Sequence, residues 1–340
     1  SLADYLVNAG LKSNIDNTEV SNFISLKERE NSLIKEKGLE YIYNKIEFPL
    51  INLLYKMEKN GFKINETKLN ELAEEYEDKL KKLIAEIYIE ANEEFNINSP
   101  KQVARILFDK LGIKTYNNKK QSTSAEILEE IRYIPIVEHI LTYRKYSKLL
   151  NTYINVYRQL CQNNGNIIHT TFNQTLTSTG RLSSSVPNLQ NIPTRDDEGK
   201  VLRKIFVSKF ENGKIISADY NQIELRLLAD MSGEENLIDA YNRGDDIHAL
   251  TASHIFYKPI NEITENERRD AKAVNFGIIY GISDYGLSQN IKSTRATAKE
   301  FIDSYFTKYP KIKKFMDNNI KSAYEKGGAY TKFGRVRRIP

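Results

Sequence analysis

The sequence predicts a mostly helical α+β fold, and three features carry that prediction. Residues 66–95 set Leu69, Leu72, Ala73, Tyr76, Leu80, Leu83, Ile84 and Ile87 at helical spacing among acids and lysines. From Gly165 the apolar runs shorten and β-branched residues become frequent, opening with a strand from Ile167 to Phe172. Residues 264–281 then read as a helix with both ends marked. Thr264-Glu265-Asn266-Glu267 forms a capping box, and Gly281 fits the position just past the last turn.

In chain order, residues 1–44 carry no distinctive pattern. Residues 46–62 read as a helix that Asn60-Gly61 ends. The mixed charge of the 66–95 helix suggests a long exposed hairpin arm. Ser99-Pro100 is an N-cap followed by proline in the first turn, so a short helix runs from there to Gly112. Residues 114–124 form a polar, basic loop, and Ser122, Thr123 or Ser124 caps a helix from Ala125 to Ile131. Residues 136–160 form a further helix on which Arg144, Lys145 and Lys148 offer cations. Residues 175–193, rich in Ser, Thr and Asn with Gly180 and Arg181, make a loop that can approach a backbone closely; taken bare, it is equally a linker. Lys214–Asp219 is a short apolar strand ending in a carboxylate, and residues 220–229 turn helical.

The bulk properties exclude several classes. The 340 residues suffice for two or three packed units, and 40% hydrophobic with 28% charged residues describes a soluble globular protein. No apolar run reaches the length of a membrane span, and no signal peptide pattern is present. The single Cys161 rules out an internal disulfide and suits a reducing compartment, and no Cys/His grouping has zinc spacing. The net charge of +5 says less than its distribution: residues 311–340 hold nine basic and two acidic residues. That asymmetry favours phosphate contacts, although a solvated face on a Lys-rich protein would read the same. An AT-rich genome alone would also enrich Lys, Asn and Ile.

The chemistry concentrates on the capped helix. Arg268, Lys272, Phe276 and Tyr280 recur every four residues, a spacing that drifts only ~40° per step and so keeps them on one face. They span ~18 Å along the axis, about the length of an extended nucleoside triphosphate. Two cations lie toward the positive end of the helix dipole, followed by an aromatic ring and a tyrosine. An ordinary amphipathic helix with a basic face would account for the cations alone. Gly277 in the interior costs ~1 kcal/mol against Ala, which calls for a bend or a close approach by another group. Asp219 admits two readings, a helix N-cap or a rigid metal anchor of the kind two-metal phosphoryl chemistry requires.

Arg-x3-Lys-x3-Phe-Gly-x2-Tyr-Gly at 268–281 resembles motif B of family A DNA polymerases, the bacterial polymerase I type. The resemblance runs from about residue 45 to the end. Asp219-Tyr220-Asn221-Gln222-Ile223-Glu224-Leu225-Arg226 is similar to that family's motif A, and residues 175–193 are similar to its signature loop. The resemblance implies the thumb, fingers and part of the palm of a right-hand polymerase, with an antiparallel palm sheet. It places a remnant of a preceding exonuclease-like domain at 1–44 and the thumb at 45–164. The palm with motif A falls at 165–232, the fingers with motif B at 233–310, and a truncated fingers-to-palm return at 311–340.

The implied reaction is template-directed addition of dNTPs to a primer 3′-hydroxyl, in replication or repair, with primer–template DNA as partner, no membrane, and a cytoplasmic, nucleoid-associated setting. Two Mg²⁺ ions are expected, with Asp219 and the Tyr220 carbonyl as ligands; Asp219 and Lys272 are the catalytic pair. Gln222, Glu224, His248, Arg268, Lys272, Phe276 and Tyr280 would bind the nucleotide, Glu224 filling the space that a ribose 2′-hydroxyl needs. Lys148, Arg181, Asn188, Gln190, Asn191 and Arg195 would bind DNA. Asp4, Asp16 and Glu19 are too few and wrongly spaced for an exonuclease site, so no proofreading is expected. The family's third motif, His-Asp-Glu, does not occur before Pro340. Either further chain follows, or a separate palm segment supplies it, or this stretch is inactive. A non-catalytic DNA-binding remnant and a single-subunit RNA polymerase relative are the alternatives; Glu224 disfavours the latter.

Overall fold

Helices dominate the computed structural model, which describes residues 20–115, 122–194 and 196–339. Asp4, Asp16, Glu19, the middle of the basic loop at 116–121, Arg195 and Pro340 lie outside the described residues. Among the described residues two compact units are present, one built on Tyr43–Ile216 and one on the chain from Ser217 onward together with the described stretch that ends at Ile42. Helix α1 (Val20–Glu36) belongs to the second.

In the first unit, α2 (Phe48–Asn60) ends where Gly61 turns to φ +56 and donates its N–H to the Met57 carbonyl. A side chain at Gly61 would place Cβ 2.5 Å from the Ile168 carbonyl oxygen. Glycine therefore lets β1 (Phe62–Ile64) pair closely with β2 (Ile167–Ile168). Asn65 caps α3 (Glu66–Ala91), accepting from the Lys68 N–H. Ser99 caps α4 (Pro100–Ala104), which continues as a π turn, Arg105–Lys110. Ser124 precedes α5 (Ala125–Glu130) without a side-chain cap bond. Helix α6 (Pro135–Leu149), a π turn at Leu150–Ile154 and α7 (Asn155–Asn163) form one run. The hairpin of β3 (Thr171–Asn173) and β4 (Ser183–Ser185), then α8 (Asp197–Arg203) and β5 (Phe206–Val207), complete the unit. Strand β1 lies between β2 and β5, antiparallel to both.

Four expectations change here. The 66–95 stretch is no exposed arm: Leu69, Leu72, Ala73, Tyr76, Leu80 and Ile87 are buried, and α3 packs along α6 in the unit's core. Its charges cover only the outer face. The expected strand from Ile167 to Phe172 splits into two that join different sheets. Glu58 separates them, its carbonyl meeting His169 Nδ1 at 2.8 Å and its carboxylate accepting the Phe172 N–H at 2.6 Å. Part of the 175–193 loop is strand β4, because Ser183–Ser185 supplies the backbone partners β3 needs. Residues 214–219 form no strand; they run exposed, with Ile216 at 90% exposure. A strand exists only against a neighbour, and no described strand lies beside this one.

The second unit continues with α9 (Ile223–Ser232), α10 (Glu235–Arg243), α11 (Ile247–Ile255), α12 (Glu265–Ile279), α13 (Asp284–Asn290), α14 (Arg295–Lys308) and α15 (Pro310–Lys326). A hairpin of β6 (Gly328–Tyr330) and β7 (Val336–Arg338) follows. Leu228, Leu237, Ile247, Ile255, Ala271, Val274, Ile278, Leu287, Phe301 and Ile312 fill a core separate from that of the first unit. Helix α12 lies along α11, and its apolar stripe at Ala271, Val274 and Ile278 faces inward. Among the described residues no helix is long and apolar enough to cross a membrane.

Candidate functional site

Helix α12 begins as its sequence dictates. The Thr264 hydroxyl accepts the Glu267 N–H at 3.3 Å, and the Glu267 carboxylate accepts the Thr264 N–H at 2.9 Å, closing the capping box. At the other end Gly281 takes φ +67 and donates to the Ile278 carbonyl. Gly277 is explained by a close approach: a Cβ there would meet Ile282 Cγ2 at 2.7 Å. The four-residue spacing of Arg268, Lys272, Phe276 and Tyr280 thus falls on a real helical face, and Tyr280 is its C-cap residue.

Three side chains on α11 and its cap meet that helix. Asp246 caps α11, accepting the His248 and Ala249 N–H groups at 3.0 and 3.1 Å, and its second oxygen accepts from Arg268 Nε at 2.7 Å. Partial burial pushes the Asp246 carboxyl up, but the Arg268 guanidinium and the backbone donors outweigh this and hold it below its ordinary value. His248, two residues past that cap, is 3% exposed, with its ring 5.9 Å from that of Phe276. Its Nδ1 lies 3.0 Å from Asn275 Nδ2, and the Asn275 Oδ1 accepts from the Thr251 hydroxyl at 3.1 Å. Burial lowers the His248 pKa; Asp246 raises it, while Lys272 and Arg268 lower it further. Lys272 is exposed on the same face. Arg268, Lys272, His248 and Phe276 therefore gather where α11 and α12 meet: two cations and an imidazole beside an aromatic ring, a set suited to a polyanion bearing a flat base.

A second group sits at the start of α9. Gln222 adopts φ +51, and its amide oxygen accepts from the Tyr241 hydroxyl at 3.1 Å. The Arg226 guanidinium lies 4.4 Å from the Tyr241 ring centre. The Tyr280 hydroxyl donates to Glu224 Oε2 at 2.7 Å, so the end of α12 is tied to the first turn of α9. Asp219 and Tyr220 are exposed in the irregular run ahead of it.

In the first unit, the expected DNA contacts have different standing. Lys148 is exposed in the last turn of α6. Its neighbours Arg144 and Lys145 are turned inward to the Thr123 carbonyl and to Glu198 and Asp196, and so serve the fold. Arg181 is exposed, with its carbonyl accepting from the Thr177 hydroxyl at 2.6 Å. Asn188 Oδ1 accepts the Gln190 N–H at 3.0 Å, and the Asn191 carbonyl accepts from the Tyr153 hydroxyl at 2.6 Å. The loop is thus held in shape by its own amides while the Gln190 side chain faces solvent.

A sequence model for "DNA polymerase family A" matches residues 66–340. The chain belongs to DNA polymerase family A. It is 49% identical over 311 residues to DNA polymerase I of Caldicellulosiruptor bescii, covering 90% of this chain and 36% of that protein. It is 45% identical over 310 residues to DNA polymerase I of Geobacillus stearothermophilus, covering 90% of this chain and 35% of the relative. The chain therefore spans about a third of the length of the curated relatives it matches. Among solved structures it is similar to the polymerase domain of Pol1 from M. smegmatis in complex with DNA primer–template and dNTP. That match has a TM-score of 0.84 at 33% identity and covers 93% of this chain and 56% of the other.

Family A polymerases generally use divalent metal ions. Among the described residues no group of three or more His, Cys, Asp or Glu side chains could hold one. Glu224 is bonded to Tyr280, and Asp230 pairs with Lys332 at 2.7 Å. Asp219 and the Tyr220 carbonyl are thus a partial donor set that does not by itself fit two ions.

Asn275, Thr251 and Asp246 were not singled out from the sequence. Asn275 left a readable signal: positions 271, 274, 275 and 278 form the buried stripe of α12, and a lone amide on such a stripe needs a partner.

Proposed function

We propose that the chain carries the thumb, the fingers and part of the palm of a DNA-directed DNA polymerase. It would contribute to adding dNTPs to a primer 3′-hydroxyl opposite a DNA template. The observation that carries this reading is the gathering of Arg268, Lys272, His248 and Phe276 along one junction of helices. In it the thumb takes 45–164, the palm with motif A 165–232, the fingers with motif B 233–310 and the return 311–340, and residues 1–44 supply no proofreading site. Arg268, Lys272 and His248 hold the triphosphate, and Lys272 also meets charge that develops as pyrophosphate leaves. Phe276 packs on the nucleotide, Tyr280 stands near the templating position, and Gln222 and Glu224 border the sugar. Lys148, Arg181, Asn188, Gln190, Asn191 and Arg195 serve the primer–template. Asp219 and the Tyr220 carbonyl would be ligands to Mg²⁺, which supplies charge neutralisation at the phosphates when bound; the remaining donors must come from elsewhere. The setting is the cytoplasm, on the nucleoid.

The test measures dATP and primer–template affinity separately on the 340-residue chain. Lys272→Ala is expected to weaken dATP binding about tenfold or more, the loss of one charge-assisted contact, and to leave primer–template affinity within about twofold. Equal loss of both would refute the assignment of Lys272 to the triphosphate.

The partial donor set supports one further statement. Residues 1–340 alone are expected to bind primer–template but to extend it at no useful rate with Mg²⁺ or Mn²⁺. Clear templated extension would mean that a second carboxylate acts with Asp219.

A further inference from the structure

The buried amide beside the nucleotide helix has a role that the phosphate-binding set leaves out. Asn275 is 0% exposed, and both ends of its side chain are engaged. Thr251 donates to its oxygen at 3.1 Å, and its nitrogen stands 3.0 Å from His248 Nδ1. A directed chain results, from Thr251 to Asn275 to the imidazole. An amide nitrogen can only donate, so Nδ1 must accept. A neutral imidazole that accepts at Nδ1 carries its hydrogen on Nε2.

The competing states fail on the same contacts. A doubly protonated ring would set Nδ1–H against the amide hydrogens, two donors face to face 3.0 Å apart in a buried site. An amide turned end for end would place Oδ1 on the ring, where the structure holds Nδ2, and would move the hydrogen to Nδ1. Nε2 would then be a bare lone pair, unable to bond a phosphate oxygen, which is itself only an acceptor. Burial and the nearby Lys272 and Arg268 charges also disfavour the imidazolium, against Asp246 alone.

We propose that Asn275 is a positioning residue that holds His248 as the Nε2–H tautomer, so that the ring donates to a phosphate oxygen of the incoming nucleotide. This rests on the reading of His248 as a triphosphate contact. The tautomer itself does not, and the two can be separated by experiment.

The chain has only four histidines, so selective ¹⁵N-histidine labelling and long-range ¹H–¹⁵N correlation spectra at neutral pH resolve each ring, with His248→Gln assigning the signal. The expected result is an unprotonated Nδ1 and a protonated Nε2 at His248. A protonated Nδ1, with or without Nε2–H, overturns the proposal. Asn275→Asp, which presents only acceptors, is expected to move a hydrogen onto Nδ1; an unchanged pattern in a folded variant also overturns it. Should that variant fail to fold, the wild-type spectrum decides alone. Adding dATP is then expected to shift the Nε2–H signal. No shift, with the tautomer as stated, would remove His248 from the triphosphate site and leave its orientation by Asn275 intact.

Discussion

Single atoms decide several properties of this protein. A methyl group on Gly277 would press against Ile282 Cγ2 at 2.7 Å, and a β-branched side chain has little freedom to move aside. Gly277→Ala would gain about 1 kcal/mol of helix propensity and lose about 1–3 kcal/mol to crowding. Net destabilisation is expected, read as a lower urea midpoint at unchanged slope. The Tyr280–Glu224 bond, at 2.7 Å, makes a second residue-scale prediction. Glu224→Ala removes that bond and empties the space proposed for a 2′-hydroxyl. The ratio of dATP to ATP affinity is expected to fall by about tenfold or more in this variant. Unchanged discrimination would show that Glu224 is not what excludes the ribose.

At the scale of elements, the start of α12 shows how a cap couples to pH. Hydrogen bonds from Lys258, then from the Thr264 backbone and hydroxyl, hold the Glu267 carboxyl down at about 2 from an ordinary 4.5. A depressed folded value means that the contribution to stability is complete above the unfolded value, about 4.5, and is lost as pH falls through about 2. The stability difference between wild type and Glu267→Gln should therefore shrink to nothing toward pH 2. Thr264→Ala is expected to cost about 1 kcal/mol at neutral pH, measured by denaturant unfolding. Signals of this local kind were legible in the sequence: the capping box at 264–267, Ser99 before Pro100, and Asn60-Gly61 each act within a few residues. What escaped depends on distant partners. Residues 214–219 have strand composition but no strand to pair with, and Ser183–Ser185 pairs only because β3 runs beside it. The inward face of α3 exists because α6 covers it. The site was legible in the same degree. Its face of Arg268, Lys272, Phe276 and Tyr280 follows from helical spacing, whereas Asp246, Thr251 and Asn275 join it through α11, which no spacing within α12 could announce.

For the whole molecule, the charge count and the available charge differ. Of the nine basic residues in 311–340, at least four have carboxylate partners among the described residues. Lys311 pairs with Glu235, Lys313 with Asp317, Lys321 with Glu325 and Lys332 with Asp230. Nine cations neutralising nine phosphates would give a slope of about −8 in log affinity against log salt. A slope no steeper than about −5 is expected from this segment, measured as the change when its lysines and arginines are replaced together by glutamine. The pairs also have a consequence for the thermodynamics of binding. A duplex that takes Lys332 from Asp230 substitutes a phosphate for an anion the protein already supplies, so the step is an exchange and sets few ions free into solution. Its driving force would then be enthalpic and weakly dependent on salt. Because Asp230 sits in the last turn of α9, the loss of that tether would be registered by the helix whose first turn carries Glu224. The chain keeps part of its own ion atmosphere folded into its surface.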